Sequence, residues 1–106
     1  MTVKRQRSVT YNATKEIVAE GVRKVLAANR NYTDTVEGID GSFFTLVQPN
    51  PLLLDTPMRI TIEQNSDNTT VSVSTKSQPF IWGDIFGYYN KYITNFLSAL
   101  EKEIRK

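Results

Sequence analysis

Neither cysteine nor histidine occurs anywhere in this chain of 106 residues. The absence of cysteine excludes disulfides, thiolate nucleophiles and cysteine-ligated metals. The absence of histidine removes the side chain that most often acts as a general base near neutral pH and as a metal ligand. Most hydrolase mechanisms and all histidine-bearing metal sites are therefore excluded.

Long apolar runs are also missing. No stretch approaches the roughly 18 apolar residues of a membrane-spanning helix. Met1 is followed by the polar stretch TVKRQRSVTYN instead of the apolar core of a secretory signal. A hydrophobic fraction of 40% with 23% charged residues is typical of folded globular chains. We therefore expect a single cytoplasmic domain that covers residues 1–106.

Carboxylates are the acid/base groups that remain, and they form no recognisable catalytic pattern. Those of residues 31–75 fall in predicted strands and turns, at spacings typical of solvated faces. The GDIFG stretch at residues 83–87 lacks the third glycine and the Lys-Ser/Thr pair of phosphate-binding loops. We therefore predict a protein that is not an enzyme, with no catalytic residues, no metal site and no cofactor.

Charge is distributed unevenly along the chain, although the net charge is only +2. Residues 1–30 carry seven Lys/Arg and two Asp/Glu, residues 31–75 carry one and six, and residues 76–106 carry five and three. This pattern is more typical of elements that face each other than of a polyanion site. The KRQR stretch at residues 4–7 suits an edge strand protected by charge. Nucleic-acid binding by this stretch is the least favoured function.

The first third of the chain predicts a strand followed by a helix. Residues 3–11 alternate, and valines and leucines then follow at helical spacing. Asn12 is the expected N-cap of a helix over residues 13–28. Gly21 lies inside this helix, and a close approach to the sheet is the expected reason for a glycine there.

Two hairpins are predicted in the middle of the chain. Asp40-Gly41 lies between β-prone segments and predicts a type I′ turn. Residues 58–64 and 69–77 alternate on either side of the turn NSDN, which predicts the second hairpin. Between the hairpins, the PNPLLLDTP stretch has three prolines, which are incompatible with a regular strand ladder. The sequence pattern does not assign the three consecutive leucines of this stretch to a strand or a helix.

The C-terminal third concentrates the aromatic residues, with seven of the eleven in residues 77–96. From Ile85 onward the apolar side chains fall on one arc of a helical wheel, which predicts a long amphipathic helix packed on the sheet. The arc consists of Ile85, Phe86, Tyr89, Tyr92, Ile93, Phe96, Leu97, Leu100 and Ile104. Tyr88 lies beyond its edge and Trp82 precedes the helix, so either can be a core residue or a contact residue.

Together these elements predict an α+β fold with two layers: an antiparallel sheet of about five strands, in a β-α-β-β-β-β-α order, with the long C-terminal helix packed on the sheet. The element order and the segment SVSTKSQPFIWGDIFGYYNKYITNFLSALEKEI, with WGD before the last helix, resemble small uncharacterised bacterial proteins that look like shortened START/Bet v 1-like (helix-grip) domains. The resemblance implies a curved sheet that grips the C-terminal helix, and an apolar ligand cavity between them.

The residues themselves suggest a non-enzymatic binding module that holds a small apolar ligand, a lipid or a protein partner's side chains between sheet and helix. The predicted ligand-binding residues are Leu52, Leu53, Leu54, Trp82, Phe86, Tyr88 and Tyr89. The leucines could instead fill that space, since protein interiors are close-packed. The alternative function is a structural or assembly protein that forms a homodimer through the exposed sheet face or an edge strand, with Trp82 and Tyr88 at the interface.

Overall fold

The computed structural model describes residues 4–47, 56–76 and 88–105. It contains a five-stranded antiparallel sheet and two helices. The elements are β1 (Lys4–Tyr11), α1 (Lys15–Ala28), β2 (Tyr32–Glu37), β3 (Phe43–Val47), β4 (Thr56–Asn65), β5 (Asn68–Lys76) and α2 (Tyr88–Ile104). The predicted α+β fold and its β-α-β-β-β-β-α order are therefore confirmed.

The strands are ordered β1-β5-β4-β3-β2, so β1 and β2 form the two edges of the sheet. β1 pairs along its whole length with β5, and β4 and β5 form the second predicted hairpin. Successive residues of a strand point to opposite faces, and in β5 Val71 and Val73 are fully buried while Ser72 is only half-buried. The outer face is polar here: the hydroxyls of Ser8 and Ser72, which pair across β1 and β5, form a hydrogen bond of 2.8 Å.

Both helices pack on one face of the sheet, which we call the helix-facing side. The buried residues of α2 are Tyr92, Ile93, Phe96, Leu97 and Leu100. The opposite side of α2, including Lys91, Thr94 and Glu101, is exposed. Each large apolar side chain buried in this way stabilises the fold by about 1.5–3 kcal/mol. The predicted amphipathic packing of the C-terminal helix is confirmed. Neither α1 nor α2 is long and apolar enough to span a membrane.

Gly21 allows α1 and α2 to approach each other closely. A Cβ atom at this position would lie 3.0 Å from Cδ1 of Leu100 and 3.5 Å from Cγ1 of Ile104. The expectation that Gly21 approaches the sheet is therefore wrong. The two helices lie side by side on the sheet, and the glycine lies where α1 contacts α2.

α1 begins two residues later than the sequence suggested, at Lys15. Its N-cap is Thr14, whose Oγ1 accepts a hydrogen bond from the backbone N of Ile17 at 3.3 Å. Asn12, the expected N-cap, lies outside the helix. The reason is a tertiary contact: the hydroxyl of Thr69 in β5 donates to the carbonyl of Ala13 at 2.7 Å, and this fixes the chain before the helix.

The β2–β3 hairpin forms where it was predicted, but with a different turn. The backbone N of Gly38 donates to the carbonyl of Ser42 at 2.7 Å, and the N of Gly41 donates to the carbonyl of Gly38 at 3.1 Å. Within residues 38–42 only Gly41 has a positive φ, of 84°. A type I′ turn needs positive φ at both central residues, so that assignment is wrong. The loop is a type I turn followed by a left-handed glycine.

β2 carries a β-bulge that interrupts the regular edge of the sheet. Its pairing register shifts between Thr33 and Val36, where Asp34 and Thr35 lie opposite Thr45. Asp34 takes the left-handed conformation, with φ of 52°. Bulges make an edge strand a poorer template for pairing with another chain.

Candidate functional site

Rows of residues paired across neighbouring strands form the helix-facing side of the sheet. Its central rows are apolar and buried: one contains Phe43, Ile60 and Val73, and the next contains Ile62 and Val71. The row that follows Phe43, Ile60 and Val73 toward the ends of β3 and β5 contains Thr45, Met58 and Thr75, with exposures of 0%, 0% and 1%. We call these three residues the threonine row. It places hydroxyls at one end of an interface whose middle is hydrocarbon.

The two hydroxyls of the threonine row differ in their hydrogen bonds. Oγ1 of Thr45 donates to the carbonyl of Thr33 at 3.0 Å and lies 3.0 Å from Oγ1 of Thr35. Oγ1 of Thr75 has no hydrogen-bond partner among the described residues. A buried hydroxyl left unpaired costs about 1–3 kcal/mol. Thr75 therefore presents a polar atom that a bound molecule could satisfy.

The threonine row lies at the end of the sheet where β3 and β5 end and where β1 and β4 begin. The predicted ligand-binding residues belong to the segments that follow β3 and β5. Leu52, Leu53, Leu54, Trp82 and Phe86 lie outside the described residues. Tyr88 and Tyr89 lie in the first turn of α2, and their side chains are outside the described part of the structure. The grouping of these seven residues into one site stays a prediction.

A groove of about 570 Å³ runs between β1 and α2. Its apolar lining residues are Val9, Leu97 and Ile104. Its charged lining residues are Arg7, Glu101 and Arg105. A guanidinium nitrogen of Arg105 lies 2.6 Å from the carboxylate of Glu101. The volume is within the range of small-molecule sites, which is roughly 300–1,000 Å³.

Tyr11 lines the same groove. Burial, and then the nearby carboxylate of Glu101, raise the pKa of its phenol, while Arg7 opposes this shift. A phenol with a raised pKa stays protonated at neutral pH. Tyr11 therefore offers the groove a hydroxyl and not a general base.

A second groove, of about 580 Å³, lies between α1 and α2. Lys24, Arg30 and Lys102 are its basic lining residues, and all three are exposed. Among the described residues, no cluster of three carboxylates is placed to hold a metal ion.

Solved structures similar to this chain identify its fold. A START superfamily protein from Mycobacterium smegmatis superposes with a TM-score of 0.62 at 16% sequence identity, over 96% of this chain and 97% of that protein. Ara h 8.0201 superposes with a TM-score of 0.56 at 7% identity, over 98% of each chain. The chain has a START/Bet v 1-like fold. A protein of unknown function from Staphylococcus aureus also superposes, with a TM-score of 0.55 at 11% identity, over 99% of this chain and 94% of that one.

Sequence comparison adds no relative to this structural likeness. No protein-family model matches the chain, and a search of the curated proteins gives no match. At identities of 7% to 16% the likeness concerns the START/Bet v 1-like fold alone, and no binding residue is carried over from those proteins.

Sequence reasoning missed Thr75 as a site residue. In the sequence it is one of several polar residues of an alternating strand, and only its pairing with Met58 in a buried row reveals the hydroxyl as unusual. The position of Arg7 on the helix-facing side could have been predicted from the sequence. The alternation of residues 3–11 places it on the same side of β1 as Val9 and Tyr11, which face the helices.

Proposed function

We propose that this chain is a non-enzymatic binding module that holds a small apolar ligand between the sheet and α2, next to the threonine row. The START/Bet v 1-like fold is a typical ligand-binding scaffold, which supports the proposal. The observation that carries it is the hydroxyl of Thr75, which is buried on the helix-facing side without a partner among the described residues. A mostly apolar ligand with one polar atom would complete this interface.

The electrostatics of the described residues favour binding over catalysis. A general acid or base works best when its pKa lies near the working pH. Burial raises the pKa of Tyr32 to about 12, and its ring packs edge-on against Phe96 with centroids 6.2 Å apart. The pKa of Glu37 is lowered, chiefly by its hydrogen bonds with Arg23, at an exposed position. These side chains stabilise the fold and are not tuned for proton transfer.

The predicted ligand-binding residues are proposed contacts for the apolar part of the ligand. They are Leu52, Leu53, Leu54, Trp82, Phe86, Tyr88 and Tyr89. Their apolar and aromatic character suits a hydrocarbon surface and supplies few groups for recognition by hydrogen bonds. Specificity would then depend on the polar atoms at the end of the sheet.

The proposal is tested with the neutral fluorescent probe N-phenyl-1-naphthylamine, whose emission rises in apolar surroundings. We expect a saturable rise with the wild-type protein. Thr75→Leu puts apolar bulk on the helix-facing side, whereas Ser74→Leu puts the same side chain one residue away, on the outer face. Thr75→Leu should weaken probe binding about fivefold or more, since a ligand must fit a preformed space. Ser74→Leu should leave it unchanged.

Circular dichroism of both variants shows whether the sheet and helices are intact. Probe emission that never saturates, or equal affinities of Thr75→Leu and wild type, would contradict the proposed site. Emission of Trp82, the only tryptophan, provides a second signal from the predicted border of the site.

Self-association through the outer face of the sheet is a second candidate function. Val36 and Phe44 pair across β2 and β3 on that face, and they are 60% and 43% exposed. Exposed apolar side chains that adjoin one another are typical of interaction surfaces. The molecular mass should then rise with protein concentration, and Phe44→Ser should keep the protein monomeric. A constant monomer mass would eliminate this candidate.

A further inference from the structure

We propose that the ligand is an amphipathic carboxylate, a molecule with one anionic head and an apolar body, and that Arg7 binds the head in the groove between β1 and α2. This inference rests on the proposed function, because it specifies the chemistry of the ligand held between sheet and helix. The inference is based on the position of Arg7 in the sheet and on the lack of an ion pair between Arg7 and the other described residues.

Arg7 occupies a helix-facing position on an edge strand. It pairs with Val73, which is fully buried, and the two residues of an antiparallel pair lie on the same face. Val9, the next residue on that side of β1, packs against the core. Arg7 therefore occupies a strand position at which an apolar side chain would have extended the core. Its side chain is exposed at the β1 edge and lines the groove.

No carboxylate of the described residues forms an ion pair with Arg7. Two other described arginines do form ion pairs: Arg23 with Glu20 and Glu37, and Arg105 with Glu101. Glu101 lines the groove, but its carboxylate lies 2.6 Å from a guanidinium nitrogen of Arg105. A guanidinium offers a planar fork of donors that matches a carboxylate. Arg7 is therefore the groove cation available to an anion.

The groove lining matches the two parts of such a ligand. With Arg7 and Arg105 against Glu101, the lining carries a net charge of +1, which complements a single carboxylate. Val9 and Leu97 supply apolar surface for the body of the ligand. The charged head of the ligand would therefore meet Arg7, and its apolar body would contact the apolar side chains of the groove.

Thr75 does not line the groove, but it is a neighbour of Arg7 in the sheet. It pairs with residue 5 of β1 while Arg7 pairs with Val73, so Arg7 and Thr75 are diagonal neighbours on the helix-facing side. Diagonal neighbours in an antiparallel pair lie about 7–8 Å apart, a span that one bound head group and a long side chain can bridge. The hydroxyl of Thr75, which has no hydrogen-bond partner among the described residues, therefore belongs to the residue beside the arginine proposed to bind the head group.

Decanoate and 1-decanol test the inference, since they share a chain length and differ in the charge of the head. Both are titrated against bound N-phenyl-1-naphthylamine, with wild-type protein and with three variants. Arg7→Gln removes the groove cation. Arg59→Gln is the matched control, because Arg59 is an exposed strand arginine on the outer face, paired with Phe44 and Ser74. Glu101→Gln removes the groove carboxylate.

We expect decanoate to bind more tightly than 1-decanol, and Arg7→Gln to weaken decanoate about threefold to tenfold while leaving 1-decanol unchanged, as for one partly exposed charge-assisted pair. Arg59→Gln should change neither ligand, and Glu101→Gln should strengthen decanoate only. The decanoate preference should shrink as salt is added.

The outcomes separate this inference from the proposed function. If both ligands bind equally, or if Arg7→Gln and Arg59→Gln behave alike, the carboxylate assignment is overturned while the binding function stands. If neither ligand displaces the probe and the probe itself does not bind, both are overturned.

Discussion

Three buried threonines on the helix-facing side provide a matched set of substitutions. Thr45, Thr69 and Thr75 have exposures of 0%, 0% and 1%. Replacing each by valine keeps the branched shape and exchanges the hydroxyl for a methyl group, so differences among the variants report the hydrogen bonds. Thr45 Oγ1 donates to a backbone carbonyl at 3.0 Å and Thr69 Oγ1 to another at 2.7 Å. Thr75 Oγ1 has no partner among the described residues.

The expected free energies of unfolding follow from these contacts. Thr69→Val removes a hydrogen bond and leaves the carbonyl of Ala13 without that donor, which should cost about 1–3 kcal/mol. Thr45→Val should cost a similar amount for the same reason. Thr75→Val removes a hydroxyl that has no partner among the described residues and whose burial therefore costs free energy, so stability should stay the same or rise by about 1–2 kcal/mol.

Urea unfolding followed by far-ultraviolet circular dichroism measures all three variants against wild type. We expect the free energy of unfolding of Thr75→Val to exceed those of the other two variants by at least about 1 kcal/mol. A loss in Thr75→Val equal to that of Thr69→Val would refute the claim that the Thr75 hydroxyl is unpaired. It would also remove the main support for a polar atom awaiting a ligand.

Three further predictions concern the fold and its pH dependence. Gly21→Ala should lower stability by about 1–2 kcal/mol, despite the better helix propensity of alanine, because its Cβ would lie 3.0 Å from the buried Leu100 side chain. A higher free energy of unfolding in urea for this variant would contradict the close packing of the helices. Asp34→Val should cost about 1–2 kcal/mol, because a β-branched residue resists a φ of 52°, whereas Asp34→Gly should not lower stability; equal losses in both would show that the bulge relaxes. Folded Tyr32 keeps its proton up to a pKa of about 12, while an unfolded tyrosine ionises near pH 10, so the unfolded state binds fewer protons above pH 10 and stability falls as the pH rises. Tyr32→Phe should make that fall shallower, and unfolding curves across this pH range that match those of wild type would show that Tyr32 does not contribute.

Periodicity predicted the elements well because each strand and helix buries one side. The alternation in β4 and β5 and the apolar arc of α2 are imposed by a single hydrophobic layer, and this pattern can be read without tertiary information. Turn type was harder to predict. Asp40-Gly41 is compatible with more than one hairpin loop, and the backbone pairing of Gly38 with Ser42 selects the longer one.

Helix boundaries and neighbours depended on contacts that are distant in sequence. Asn12 and Thr14 are both good N-caps, and the hydrogen bond from Thr69 to the carbonyl of Ala13 helps to decide between them. The spacing around Gly21 indicates close packing, but it does not say whether the neighbour is a sheet or a helix. Local sequence contains neither contact.

The candidate site was only partly accessible to sequence reasoning. An apolar interface between sheet and C-terminal helix follows from the amphipathic pattern. The threonine row does not, because burial of Thr75 beside Met58 results from strand register. The seven predicted aromatic and leucine contacts remain predictions.

The central claim is that an apolar ligand binds next to the threonine row, and a methionine methyl signal tests it directly. The chain contains two methionines, Met1 and Met58. Met58 is fully buried and pairs with both Thr45 and Thr75, so its methyl group reports on the proposed site. Protein labelled with ¹³C at the methionine methyls is titrated with N-phenyl-1-naphthylamine, whose ring currents shift nearby resonances. We expect a saturable shift of the Met58 signal. A Met58 signal that does not move at saturating probe would contradict it.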